Sequence, residues 1–577
     1  MGLASAVPFH FLARPAPGDP SAWWRMPFTH DIAMHFDNMR AFWRGLASGV
    51  AIPRWDEAAN KGFGSPAPSY HPPAIYYLTS AAHLLVRDWG GTFLLAHVAL
   101  MTASAAAFLA YARRWLSWRG ALGAATAYSL APYHLIDLYQ RGAMAELLTF
   151  VWLPLAWLGV ERLAGRAAAS SVAGLAVVYA LSLVSHPPTA YGLTISLGLL
   201  ILSWGRGRTR AALPRLALAL ALGLGLAGFY LLPAWLERGL IQEDAFRGVW
   251  PYAESFLFSP RPPAEIPAPF WTLLHRTWWL GAVGGAVLIA ALLRHRERPR
   301  AWLPWSAALA FFSLIAVKPL AWLSVFLPGV AMVSFPWRML CVPALALALL
   351  VGAALDAGAA GDRLCGVAGG LVLAAGIVIS GTLVVAPMLG ARVFVPRAAR
   401  PPANVFWMVP KGVPVEARLL PDAAPVTAEG ASSVERWQPE MRRARVTLDR
   451  AQNVGLRAFV FPGWTAAVDG RPTPIAAGPW ANVELPVPAG AHEIELRYGL
   501  TWPRQLGLGV SLLSVLVLLA VVTRPPRGLA GPAGRACLTP PGSTLTLSSS
   551  AESAGRSPRS VVGAGEESPD SKGQCAG

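Results

Sequence analysis

Apolar runs of roughly 20 residues recur along this chain, which is the length an α-helix needs to cross a bilayer. They lie near 92–111, 120–135, 146–160, 169–187, 189–204, 214–234, 277–293, 301–317, 338–356, 366–387 and 505–523. About eleven spans are expected, and their boundaries are soft where proline interrupts them. Of the 577 residues, 54% are hydrophobic and only 14% are charged. Soluble domains carry roughly 25% charged residues. A single soluble domain, a disordered chain and a disulfide scaffold are therefore excluded.

The formal charge of +17 would suggest nucleic acid if it were taken alone, but its placement argues otherwise. Arg113, Arg114 and Arg119, then Arg162 and Arg166, then Arg206, Arg208, Arg210 and Arg215, then Arg294, Arg296, Arg298 and Arg300 sit between apolar runs. Alternate loops carry them, as cytoplasmic loops do. The opposite, outer face then receives the loop 136–145, the turn Ser185–Pro188, the loop 237–276 and the stretch 388–503. No nucleic-acid partner is expected. Cys341, Cys365, Cys537 and Cys575 form no CxxC pair and read as inert.

Residues 388–503 leave the membrane pattern. Alternation in Arg445–Leu448 and His492–Tyr498, with turns at Pro462-Gly463 and Asp469-Gly470, predicts strands. The expected fold is an α-helical polytopic membrane protein with a β-sandwich-like extracytoplasmic domain. Its parts are an N-terminal extracytoplasmic loop with interfacial helices (1–91), a multi-span domain (92–387), the β-rich domain (388–503), a last helix (504–523) and a disordered cytoplasmic tail (524–577). Residues 1–20 read as neither signal peptide nor span, so a misplaced start or a lost first span is expected. The stretch 72–88 is long enough for a marginal span, yet His83 and Arg87 favour an interfacial helix.

Polar residues at membrane depth are costly, and so are functional candidates. In His30-Asp31…His35…Asn38, a helix would put Asp31, His35 and Asn38 on one face. A carboxylate beside an imidazole suits a general base or a divalent metal site. The same residues also suit a capping Asp with solvated histidines. In the loop 136–145 and just beyond it, Asp137, Arg141 and Glu146 combine a phosphate-binding guanidinium with carboxylates, or else form an interfacial ion pair. His186 stands at a span end, and Arg338 opens a span where an anionic head group, or simple snorkelling, would suit it. The rings around Trp55 and Tyr76 fit sugar stacking or interfacial anchoring. Gly223-x-Gly-x-x-Gly228 lies inside an apolar run and reads as helix packing.

Several motifs together resemble a bacterial membrane family labelled 6-pyruvoyl-tetrahydropterin-synthase-related. They are His30-Asp31…His35, Gly49-x-x-x-Pro-Arg-Trp55, Asn60-x-Gly-x-Gly-x-Pro66, His71-Pro-Pro-x-x-Tyr-Tyr77, Asp137-x-Tyr-x-Arg-Gly-Ala-x-Ala-Glu146 and Phe335-Pro-Trp-Arg338. The zinc-binding histidines of the soluble pterin enzyme have no readable counterpart here. The architecture is instead similar to GT-C glycosyltransferases. That resemblance implies a glycosyltransferase in the bacterial inner membrane with its active face extracytoplasmic. It would move a sugar from a polyprenyl-phosphate donor to a lipid or glycan acceptor of the envelope. It implies Asp31 as the catalytic carboxylate with His35 beside it. Asp137, Arg141, Glu146 and Arg338 would lie near the donor phosphate or a metal, with His30, Asn38, His71 and His186 in the pocket. No cofactor is certain; a divalent cation, Mg or Mn, fits the class. The alternatives are a lipid-linked glycan transporter or flippase, which predicts an internal repeat, and a non-catalytic envelope-assembly protein.

Overall fold

A computed structural model describes residues 26–163, 168–242, 250–264, 266–295, 302–390, 393–394, 408–413 and 420–523. All of them belong to one compact unit. The expectations for 1–20 and for the tail 524–577 fall outside the described residues.

Among the described residues, seven helices are long and apolar enough to cross a membrane. They are Trp89–Ala112, Met144–Leu163, Arg206–Leu226, Ala268–Arg294, Pro336–Ala359, Arg363–Met388 and Trp502–Thr523. The runs expected at 169–187, 189–204 and 301–317 form shorter apolar helices, ending with Ser185, Leu202 and Ile315. The run 120–135 becomes a 12-residue helix, Trp118–Ser129, followed by the turn Pro132–Leu135. The run 214–234 divides at Ala227. Pro132 and Pro187 each open a new helical segment, because proline has no N–H to continue the preceding one.

Polar caps fix the helix starts. The Asp88 side chain accepts the Gly91 N–H at 2.7 Å, which satisfies an orphan donor of Trp89–Ala112. Asp356, from the helix Cys341–Ala359, accepts the N–H of Ser117 at 2.7 Å and of Gly120 at 3.0 Å. A carboxylate from one helix thus caps Trp118–Ser129 near the arginine-rich face.

Burial does not follow hydrophobicity. Trp502–Thr523 is the most apolar of the seven, yet only 6% of its apolar window is buried, while Met144–Leu163 is 83% buried although it carries Glu146 and Glu161. In lipid an apolar surface gains nothing by turning inward, and polar side chains must find partners inside the bundle. Small residues allow the close approaches. A Cβ on Gly223 would stand 2.8 Å from the Ala176 carbonyl oxygen, so this glycine of the GxGxxG run serves helix packing.

Beyond the spans lie two antiparallel sheets. The four-stranded one runs in the order β3 (Val426–Thr427), β6 (Gln452–Phe459), β10 (Asn482–Val487), β9 (Ala476–Ala477). The five-stranded one runs β4 (Ala431–Gln438), β5 (Met441–Leu448), β11 (Gly490–Tyr498), β7 (Trp464–Val468), β8 (Arg471–Thr473). Val446 and Leu448 of β5 join Val454 and Leu456 of β6 in one hydrophobic cluster. A further two-stranded pair, β1 (Met26–Pro27) with β2 (Val393–Phe394), ties the first loop to the chain leaving Arg363–Met388.

The first loop is docked onto these sheets. Trp55 is fully buried against Phe461, Trp464 and Tyr498, with ring centroids 5.2 to 6.0 Å apart. The Phe459 N–H donates to the Phe63 carbonyl at 2.8 Å, and Lys61 Nζ to the Leu420 carbonyl at 2.7 Å. Sugar stacking, one of the two expectations for this loop, is closed to Trp55 because the β region covers its ring. Within 72–88 the helix is Ala74–Val86, 13 residues or about 20 Å, which is too short for a hydrocarbon core of about 30 Å.

Candidate functional site

The two most buried long helices, Met144–Leu163 and Pro336–Ala359, begin at the same place. Glu146 stands in the first turn of one and Arg338 near the start of the other. Between them the backbone from Ile136 to Arg141 widens into a π-helical turn and ends at Gly142, with φ at 62°. A Cβ at Gly142 would run into the Thr29 side chain and lie 3.4 Å from Ile32 Cβ. Glycine there lets the first loop close onto this turn. The loops then bond directly: His30 N–H to the Gln140 carbonyl at 3.3 Å and Asp31 N–H to the Arg141 carbonyl at 2.8 Å.

Arg141 is the centre of the cluster. One of its terminal nitrogens donates to Asp137 Oδ1 and to Glu146 Oε2, each at 2.5 Å. Its other terminal nitrogen lies 3.8 Å from Asp31 Oδ2. The Trp337 ring lies 5.0 Å from the guanidinium carbon. Glu146 also accepts the Tyr133 hydroxyl at 2.7 Å, while Arg338 Nε and His186 Nε2 lie 3.5 and 3.9 Å from its Oε2. Asp137 and Glu146 are buried, whereas the Asp31 side chain keeps 34% of its surface exposed. Asp31 is therefore the carboxylate that a soluble or surface-bound group can reach. Asp137 Oδ2 is buried without a hydrogen-bond partner, so the cluster retains capacity to accept a proton or a donor.

The remaining expected residues divide into two groups. His186 joins the cluster, its Nδ1 paired with the Thr189 hydroxyl at 2.7 Å. His35 and Asn38 instead meet at the Tyr76 hydroxyl, at 3.2 and 3.1 Å. Burial pushes His35 down to about 3 and His71 down to about 4, so both imidazoles are neutral at physiological pH. His30 packs edge-on against Phe270 with centroids 5.1 Å apart. Asp31 occupies the cap position of Ile32–Ala47 but makes no side-chain cap bond, so its carboxylate is not consumed by the helix. Tyr76, Tyr133 and Trp337 were not expected at the site. Tyr76 and Trp337 stand inside quoted motifs and Tyr133 just before one, yet an aromatic ring carries no spacing signal that separates a site role from anchoring.

Among the described residues, no group of three His, Cys, Asp or Glu side chains is placed to hold a metal ion. The Arg141 guanidinium lies between Asp137 and Glu146, so the expected divalent cation does not fit this arrangement. Next to the cluster runs a narrow apolar groove of about 50 Å³, walled by residues such as Leu130, Leu280, Leu347 and Ile377. Tyr133 belongs to both, lining the groove while its hydroxyl bonds Glu146.

No family model and no curated protein matches the chain, so the resemblance to the 6-pyruvoyl-tetrahydropterin-synthase-related family gains no support from either. Among solved structures, it is similar to the archaeal oligosaccharyltransferase AglB from Archaeoglobus fulgidus, in complex with an inhibitory peptide and a dolichol-phosphate. Identity is 14%, over 68% of this chain and 55% of that one, with a TM-score of 0.41. It is also similar to the arabinofuranosyltransferase AftD from Mycobacteria, at 19% identity over 67% of this chain and 27% of that one, TM-score 0.42. ArnT from Cupriavidus metallidurans, bound to undecaprenyl phosphate, matches at 12% identity over 62% of this chain and 77% of that one, TM-score 0.25. The chain thus spans about half the length of the first of these and about a quarter of the second.

Proposed function

We propose that this multi-pass membrane protein is a glycosyltransferase of the GT-C kind, taking a sugar from a polyprenyl-phosphate donor on the face opposite the arginine-rich loops. The observation that carries this reading is the buried Arg141, bonded to Asp137 and Glu146, with the exposed Asp31 carboxylate 3.8 Å from it and an apolar groove alongside. A donor of this class has a charged head and a long apolar tail. The apolar walls of the groove suit a segment of the tail, and Arg141 with Arg338 suits the phosphate.

In the proposed step Asp31 takes the proton of the acceptor hydroxyl, whose oxygen bonds the anomeric carbon. The bond from that carbon to the phosphate oxygen breaks, and the phosphate leaves with the electron pair toward the guanidinium groups. His35, neutral and held by Tyr76, takes no proton in this step.

The test is release of free undecaprenyl phosphate from a panel of undecaprenyl-phosphate sugars by the full chain in nanodiscs. Asp31→Asn should lower turnover by roughly 10²- to 10⁴-fold, the usual contribution of a general base, with an unchanged melting temperature. Turnover equal to wild type would sink the assignment of Asp31.

A further inference from the structure

A second cleft lies at the other end of Met144–Leu163, about 15 residues and so about 22 Å along the helix from Glu146. It opens about 480 Å³ between the last two turns of that helix, the first turns of Ala168–Ser185 and the end of Trp89–Ala112. Its lining changes character with depth on two helices at once. Arg162 stands at the mouth on one helix, and Leu155, seven residues back, lies about 10 Å deeper. Ser171 stands at the mouth on the other, and Val178, seven residues on, lies about 10 Å deeper. Arg114 completes the mouth. The carboxylate in this lining, Glu161, is bonded to Arg208 at 2.8 Å and is also drawn to the charge of Arg114. With Arg162, three guanidinium groups thus surround one carboxylate here, and the wall keeps an excess of positive charge.

We propose that this cleft binds an anionic membrane lipid of the leaflet on the arginine-rich side. Its phosphate would meet Arg114 and Arg162 at the mouth, and an acyl chain would run inward along Leu155 and Val178. Phosphate chemistry alone would also suit a soluble anion. The apolar inner half of the cleft, set in helices of membrane character, selects the lipid. The site shares no residue with the Arg141 cluster, and the inference is independent of the proposed transfer reaction.

The experiment is native mass spectrometry of the full chain, delipidated and then re-equilibrated with dioleoylphosphatidylglycerol or dioleoylphosphatidylcholine. Wild type should retain phosphatidylglycerol in preference to phosphatidylcholine. The double variant Arg114→Gln/Arg162→Gln should lose that preference by roughly thirtyfold, given about 1 kcal/mol per basic residue near a lipid phosphate. Gly174→Leu keeps both arginines and fills the cleft from a position with open space around its Cβ; it should expel the lipid as well. Equal retention of both lipids, unchanged retention in both variants, or displacement of the bound species by inorganic phosphate would each overturn the proposal.

Discussion

At the residue scale, Arg141 decides most about the site. Two buried carboxylates share one of its nitrogens, and Arg338, the next guanidinium, stands farther off, 3.5 Å from Glu146. Arg141→Ala should therefore cost about 3 to 5 kcal/mol, because it leaves Asp137 buried without its ion pair and Glu146 with only the weaker one. Arg141→Lys should recover part of that stability and little of the activity, since an ammonium cannot reproduce the planar fork. Thermal melting in detergent beside the polyprenyl-phosphate release assay separates the two effects. If Arg141→Ala melts like wild type, the cluster does not hold the loops together. Asp31 behaves differently. Its exposure and its missing cap bond are why Asp31→Asn is expected to change turnover without changing the fold.

At the scale of elements, the first loop works as a bridge. Its one end bonds the Arg141 turn through His30 and Asp31, and its middle inserts Trp55 into the β region. The Gly-x-x-x-Pro-Arg-Trp and Asn-x-Gly-x-Gly motifs are legible in the sequence as an ordered loop, but their purpose is not. An indole that stacks on a sugar and one that plugs a neighbouring core have the same spacing. Gly64, at φ 87°, brings its backbone against the Trp55 ring from within the loop, while the ring's aromatic partners Phe461, Trp464 and Tyr498 come from far along the chain. Trp55→Ala should cost about 3 to 5 kcal/mol through the cavity it leaves, and should speed proteolysis within 53–66. Unchanged protease resistance would mean that the bridge is held by its backbone bonds alone.

At the scale of the whole molecule, a polar junction fastens the β region to the bundle. Buried Arg504, at the start of the last helix, bonds Glu237 at 3.2 Å and the Tyr498 hydroxyl at 2.6 Å. Beside it the Arg54 N–H donates to Glu440 at 2.6 Å. Burial pushes the Glu440 carboxyl up to about 7. The folded protein thus binds that proton more tightly than the unfolded chain does. The stabilisation is full below the ordinary value of 4.5 and is lost as pH rises to about 7. His35 and His71, held near 3 and 4 by burial, act in the opposite sense from about pH 4 to 6.5. The Glu440 contribution is therefore read as a difference. Wild type minus Glu440→Gln should fall in melting temperature between pH 5 and pH 8, and a flat difference would remove Glu440 from the junction.

What the sequence by itself determined is the membrane class, the arginine clusters between apolar runs, the strands after the spans, and the polar residues worth attention. Those properties are local. Hydropathy over one window, charge in one loop and a period of two along one strand need no knowledge of neighbours. Tertiary structure alone decided which of those residues meet. Asp31 and Arg141 come together because Gly142 lets two loops touch, while His35, four residues from Asp31, turns to Tyr76 instead. It also decided which helices are central, since in lipid the most apolar helix has the least reason to be buried. Helix lengths near 120–135 and 214–234 fell between the two levels. Pro132 is visible in the sequence, whereas the break at Ala227 is not; packing sets where each helix stops.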